Sequence, residues 1–324
     1  MRTKTCALAV GAVAALVLSG CSAGDDGGGG GESEGGTTAV TVGVLPIVPS
    51  AALQLGIDEG IFEEHGFDVT LESGQGGAAL LPAVVSQQME FAISNPLSVM
   101  LAQEQGLDVQ LVTGYSHSKA EGDDVTSVWA APDSGIERPA DLAGKTVAVN
   151  TLKTMGEVSI REIVTQDGGD GASVEFVEMG FPDMPAALDG GDVDAVWVPE
   201  PFQTQLKEGG NTLVSYNYQD VFPGVMTMGV ITSGALAEKD PEMVEEFTAA
   251  VDEVTAYAQE NPDAVATSLA GFLEMPEDVA GALVMEDFRS DVDADAMQTL
   301  SDLSVEDGIL PEPVDMGTFL PSGG

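Results

Sequence analysis

Five turns in this 324-residue chain carry residue types suited to holding a small molecule. Leu45-Pro46-Ile47-Val48-Pro49 is apolar and stiff, and Pro46 stands at its apex. Ser73-Gly74-Gln75-Gly76-Gly77 lets backbone N–H groups come close to a ligand with few side chains in the way. Ser94 and Asn95 offer a hydroxyl and an amide ahead of Pro96. Asn150, Thr151, Lys153, Thr154 and Met155 form a polar run with a thioether at its end, and Glu200 adds a carboxylate between Pro199 and Pro201. The chemistry is recognition by hydrogen bonds. The plainer alternative at each place is a simple turn, or a Ser or Thr that caps a helix. Trp129, Trp197 and Phe202 could stack on a flat ligand, although aromatic residues beside strands more often fill a core.

Catalysis has less to work with. The cysteines are Cys6 and Cys21, and the two histidines, His65 and His117, stand apart in sequence, so neither a nucleophile–base pair nor a metal-ligand spacing is present. Asp291-x-Asp293-x-Asp295 opens like a calcium loop, but Ala296 stands where the tight turn needs Gly and Asp302 where Glu belongs. No metal and no cofactor are expected, and the protein is read as a non-enzyme.

These turns sit where an alternating pattern of strands and helices would place them. Val40, Val42 and Val44 alternate as a strand, and Leu53, Ile57 and Ile61 recur on one helical face up to a stop at Gly66. Residues 67–71, 91–93 and 109–112 continue the series, and it restarts with strands near 127–131, 146–149, 174–177 and 195–198. Helices are expected near 157–166, 185–188 and 201–207. The fold class is α/β: two lobes, each a mostly parallel sheet flanked by helices. Lobe 1 takes residues 38–115 and 229–324, and lobe 2 takes 116–228. From about Thr227 the pattern turns helical, with Pro241, Pro262 and Pro276 in first-turn positions and the helices packing back on lobe 1. In such sheets a ligand binds beyond the carboxyl ends of the strands, where the five turns lie.

Arg2 and Lys4 precede an apolar run, residues 7–18, too short to remain as a membrane span. Leu18-Ser19-Gly20-Cys21 follows, the pattern of a lipoprotein processing site. Residues 1–21 therefore read as a lipoprotein signal peptide with Cys21 lipidated, and the Gly-rich stretch 22–37 reads as a flexible tether. That makes the protein extracytoplasmic, held to the bacterial cell membrane by its lipid. A net charge of −44, which deepens by two when Arg2 and Lys4 are removed, repels nucleic acid and anionic lipid surfaces. With 44% hydrophobic residues the charge signals an acidic surface, not disorder. It fits either a high-salt habitat or a generally acidic extracellular protein.

The run Val42-Gly43-Val44-Leu45-Pro46, with Leu53-x-Leu55-Gly56-x-x-Glu59-Gly60-Ile61-Phe62 and Gly66-Phe67-x-Val69, resembles the opening of the SsuA/THI5-like (NMT1-like) solute-binding proteins of ABC importers. Asp141-Leu142-Ala143-Gly144-Lys145-Thr146-Val147, Ala187-Leu188-x-Gly190-Gly191-x-Val193-Asp194-Ala195 and Glu200-Pro201-Phe202 extend the resemblance to about Asn261. It implies a type II two-lobed periplasmic-binding-protein fold that closes on a ligand and hands it to a permease with its ATPase, as a monomer. Implied ligands are sulfonates, taurine, nitrate and thiamin-type pyrimidines. The family's cleft would be lined by Pro46, Gly74 to Gly77, Ser94, Asn95, Asn150 to Met155 and Glu200. A ligand-sensing lipoprotein is the alternative role. A pyrimidine-synthase-like enzyme is a weaker one, because that branch depends on a Cys-rich segment missing here. Lys153 is the one cation in these turns and Glu200 opposes it, so an amine-bearing or heteroaromatic ligand rivals an anion.

Overall fold

A computed structural model of the protein describes residues 36–74 and 76–321. The segment read as a signal peptide, the expected lipidation of Cys21, nearly all of the expected tether and the ligand contact expected of Gln75 lie outside the described residues.

The chain lays down β1 (Thr38–Val44), β2 (Phe67–Ser73), β3 (Phe91–Ser94) and β4 (Val109–His117), then crosses to β5 (Thr126–Ala130), β6 (Thr146–Val149), β7 (Glu175–Glu178), β8 (Ala195–Pro199) and β9 (Thr212–Ser215). It returns with β10 (Met226–Ser233) and β11 (Asp287–Phe288). Two sheets result, ordered β11-β4-β10-β3-β1-β2 and β7-β6-β8-β5-β9. Each sheet is mixed: β1 pairs in parallel with β2 and β3, and β6 with β7 and β8, whereas β10 and β5 run against both of their neighbours. Set side by side, β2-β1-β3-β10-β4 and β7-β6-β8-β5-β9 are the same arrangement, and in both the reversed strand is the one that has crossed from the other lobe.

The expected helical region from about Thr227 instead opens with β10. Met226-Thr-Met-Gly-Val-Ile-Thr-Ser is a short apolar run buried on both faces, and such a run has no period of 2 to distinguish it from a helix segment. β4 runs on to His117 and β10 starts at Met226, which pairs with His117 across the ladder.

Helices follow the expected capping chemistry. Pro241 and Pro262 occupy first-turn positions, and Asp240 caps the helix Pro241–Glu260 by accepting from Met243 N. Pro276 is itself the cap of the short helix Glu277–Ala280. The helix Pro241–Glu260 closes lobe 1 through Phe247, which is fully buried, stacked on Phe91 at 3.8 Å and on Phe62 at 5.6 Å, with the Phe67 ring edge-on at 5.4 Å. His65 fastens the same helix from outside, with Nδ1 2.6 Å from Glu246 and Nε2 3.0 Å from Glu253. The hydrogen bond to Glu253 leads in raising its pKa. One C-terminal helix departs from the expected packing on lobe 1 alone: Ala294–Glu306 lies against both Pro96–Glu104 of lobe 1 and Met155–Gln166 of lobe 2. No helix among the described residues is long and apolar enough to cross a membrane.

Because Phe247 joins three aromatic partners, Phe247→Ala should cost about 3–5 kcal/mol through lost burial and an unfilled cavity. Urea denaturation checks this, and a loss below about 1 kcal/mol would show that helix Pro241–Glu260 is only loosely applied to the sheet.

Candidate functional site

The carboxyl ends of β1, β3, β6 and β8 converge between the lobes on a narrow, nearly closed cavity of about 30 Å³. Lobe 1 contributes Leu45 and Ile47 after β1, Gly77 at the start of the helix Gly77–Val85, Asn95 after β3, and Thr227 and Met228 of β10. Lobe 2 contributes Thr126 of β5, Asn150 and Thr154 after β6, Phe181, Trp197 and Pro199 of β8, and Tyr218; Glu286 enters just ahead of β11. Another groove, lined by Thr37, Ile57 and Glu63, is shaped by lobe 1 alone and gathers no residues from the second lobe.

Of the residues singled out in the sequence, Gly77, Asn95, Asn150 and Thr154 from the turns and Trp197 from the aromatic candidates line this cavity. Gly77 is required by close approach: a Cβ there would lie 2.8 Å from the Ser94 Cα and 2.7 Å from its Oγ. Ser94 is thus sealed beneath Gly77, fully buried, its Oγ without a hydrogen-bond partner. Asn95 caps as well as lines: its Oδ1 accepts from Ser98 N at 3.0 Å and its Nδ2 donates to Ser98 Oγ at 2.9 Å. Gly76 and Thr151 meet across the cleft mouth, where a Cβ on Gly76 would stand 2.8 Å from Thr151 Oγ1 and 3.1 Å from Asn150 Nδ2. Thr154 Oγ1 donates to Thr151 O at 3.1 Å, which stiffens that turn.

Four others are placed elsewhere. Pro46 points to solvent while its neighbours Leu45 and Ile47 turn inward. Gly74 packs on Leu80, and Met155 is fully buried in the first turn of its helix. Glu200 is 1% exposed and already engaged: it accepts from Thr204 Oγ1 at 2.9 Å, from Thr204 N at 3.2 Å and from Val284 N at 3.2 Å. It holds its own helix start and the C-terminal segment. Lys153 is exposed and is not among the lining residues, which include no Lys or Arg. Trp129 lies in the core, with its Nε1 donating to Ser127 Oγ at 2.6 Å. The Asp291-x-Asp293-x-Asp295 run is a helix start, in which Asp293 accepts from Asp295 N and Ala296 N.

Sequence reading missed Glu286, Thr126, Thr227, Tyr218 and Phe181. Nothing marks Glu286 among 54 acidic residues, since its importance comes from 95% burial at the floor of the cleft. The Thr227 hydroxyl donates to its Oε2 at 3.1 Å. Burial pushes the Glu286 carboxyl up to about 8, outweighing the opposing hydrogen bonds from Ser116 and Thr227. Asp124, also buried, accepts from Lys119 N and Val125 N through Oδ1 at 2.7 and 2.8 Å; burial raises it to about 6. Its Oδ2 and the Thr126 hydroxyl have no partner. One wall is aromatic: Trp197 packs 5.8 Å from Phe181 and 5.7 Å from Tyr218, with its Nε1 donating to Asn217 Oδ1 at 3.1 Å. Phe202 stacks on the back of Phe181 at 5.9 Å.

Two lobes of one topology, each completed by a strand from the other and closing on a cleft between them, define the type II periplasmic-binding-protein fold. The alkanesulfonate-binding protein SsuA of Xanthomonas axonopodis pv. citri, solved bound to MOPS, superposes with a TM-score of 0.74 over 89% of this chain and 99% of its own, at 16% identity. The chain belongs to the NMT1/THI5-like family, whose sequence model matches residues 50–265. The taurine-binding periplasmic protein of Escherichia coli (strain K12) is 27% identical over 227 residues, which is 69% of this chain and 65% of that protein. The formylaminopyrimidine-binding protein of Halalkalibacterium halodurans is 25% identical over 231 residues, 70% of this chain and 68% of that protein. The fold is also shared with the desulfurization enzyme DSZB, at a TM-score of 0.63 and 17% identity over 88% of this chain and 96% of that one.

Glu286 makes stability depend on pH in a definite direction. The folded protein keeps its proton up to about pH 8, whereas an unfolded chain releases it from about 4.5, so this group's contribution is complete below about 4.5 and is lost as pH rises to 8. Glu286→Gln, which keeps the shape of the protonated acid, should melt close to wild type at pH 5 and higher than wild type at pH 8.5. A melting difference that stays constant across that range would mean the carboxyl titrates like an exposed one.

Proposed function

We propose that the protein is the extracytoplasmic solute-binding receptor of an ABC importer, tethered by lipid on Cys21 and acting as a monomer. It captures a small nitrogen- or sulfur-containing organic solute between its lobes and delivers it to the permease and ATPase. One observation carries this reading: an enclosed cleft into which side chains of both lobes converge, so that a bound solute touches both and holds them together. Family membership and the binding proteins among its relatives support it.

The reading as a receptor and not an enzyme rests on the cleft's donor set. The lining residues supply hydroxyls, one carboxyl, two amides and aromatic faces, with no cysteine or histidine. His117 is buried, with Nε2 3.0 Å from Asp291 O; burial and Arg289 lower it to about 4, leaving it neutral and without a nucleophile to activate.

A ligand that binds the folded state raises the melting temperature by mass action, so thermal-shift screening against small sulfonates, nitrate, pyrimidines and amines at high salt should yield at least one stabilising compound. Asn150→Ala should then weaken that compound about tenfold, the scale of one lost hydrogen bond in an enclosed site. Unchanged affinity would move the site elsewhere. Cys21→Ser should transfer the protein from the membrane to the soluble fraction, and continued membrane retention would defeat the lipid tether.

A further inference from the structure

Two crossings join the lobes at the base of the cleft, residues 118–125 and 222–225, and a third segment, running through β11, ties them together. Lys119 on the first crossing pairs with Asp287 of that segment. Arg289 of the same segment pairs with Asp291 and donates to Gly224 O on the second crossing at 2.6 Å. Glu286 is the residue before Asp287, and it turns into the cleft with 5% of its surface exposed. Lys119 and Arg289 are thus engaged in tying the crossings, and no Lys or Arg lines the cavity.

The surroundings of Glu286 suit a carboxylic acid and not a carboxylate. Its hydrogen-bonding neighbours are the hydroxyls of Ser116 and Thr227, and the single Thr227 proton is shared between two acceptors, Ser116 O at 3.0 Å and Glu286 Oε2 at 3.1 Å. Asp124 stands on the first crossing close enough to oppose ionisation of Glu286, and its own Oδ2 has no partner. A cavity of about 30 Å³ has room for about two waters, too few to hydrate two carboxylates. Ionising Glu286 with the lobes closed therefore leaves a charge buried without a counter-ion, which is costly. Parting the lobes is the movement that brings water to it.

We propose that Glu286 is a proton-operated catch between the lobes: closure keeps its carboxyl dry and protonated, and loss of that proton to solvent draws water to the carboxylate and opens the cleft. The charged and titratable groups around it are Asp124 and Lys119 of the first crossing, Asp287 and Arg289 of the third segment, His117 and Tyr115 of β4, and Tyr218 of the second lobe. Burial holds Glu286 up at about 8 and Asp124 up at about 6, moves His117 down to about 4 and raises both phenols. With the lobes closed Glu286 keeps its proton up to about pH 8, whereas a hydrated carboxyl releases it from about 4.5. The opening equilibrium therefore rises with pH across that window and levels off above it. Such a catch goes beyond the receptor reading, because it acts whatever solute the lobes hold and makes their grip tighter at acid pH than at alkaline pH.

Opening can be followed without a ligand in the full-length protein. Thr154 lines the cleft and is 4% exposed, so the rate at which Thr154→Cys reacts with N-ethylmaleimide, read at that position by peptide mass, reports how often the lobes part. The rate is measured with Glu286 present and with Glu286→Gln, and the ratio of the two removes the reagent's own pH-dependence. Between about pH 5.5 and 8.5 that ratio should rise by at least about 30-fold. Ala130→Cys, fully buried in β5, is the control for unfolding and should react far more slowly than Thr154→Cys at every pH. Asn150→Cys serves as the reporter if circular dichroism shows Thr154→Cys to be poorly folded. A ratio that stays constant with pH, or an Ala130→Cys that reacts as fast as the cleft reporter, overturns the catch and leaves the receptor reading standing.

Discussion

The sheet of each lobe is completed by a strand delivered from the other, β5 into the second sheet and β10 into the first, and each is bonded on both sides by antiparallel neighbours. A strand in the middle of a sheet cannot leave without exposing two rows of backbone groups, so the exchange is permanent once the sheets form. It forces the chain to cross between lobes twice, at residues 118–125 and 222–225, with Ser118 N donating to Val225 O at 2.9 Å. Everything at the site depends on those adjacent crossings, because they hold the strand ends of both lobes over one shared floor.

The segment leading through β11 adds a third strand of chain to this hinge. Asp287 pairs with Lys119 on one crossing, Arg289 donates to Gly224 O on the other, and Glu286 faces the cleft between them. The residues that tie the crossings together are therefore neighbours in sequence of a carboxyl that lines the cleft. A buried carboxyl is costly to ionise, and here the Thr227 hydroxyl and the retained proton offset that cost.

The acidity of the rest of the chain works at longer range. With a net charge of −44, the protein's field attracts cations and repels anions at long range. Salt screens that field, so its reach shortens as ionic strength rises.

Much of the architecture was legible because it is local. Alternation in Val40, Val42 and Val44, helical spacing through Leu53 and Ile57, and prolines at first helical turns are rules of a few residues, and they indicated an α/β chain of two lobes with turns at the strand ends. Gly77, Asn95, Asn150 and Thr154 were found on that basis, since position at a strand end is itself what makes a residue line such a cleft. Long-range pairing lay beyond those rules. β10 was hidden in a helical reading because its run is apolar on both faces, and Glu200 was assigned to the ligand when its carboxylate is taken up by Thr204 and Val284. Glu286 could not be separated from the other acidic residues at all. Its character comes from being desolvated beside Thr227 and Asp124, residues 59 and 162 positions away that only the strand exchange brings together. The sequence by itself determined what kind of elements form and where their turns lie, while the tertiary structure alone decided which side chains are buried with which, because burial and electrostatic coupling depend on distance through space and not along the chain.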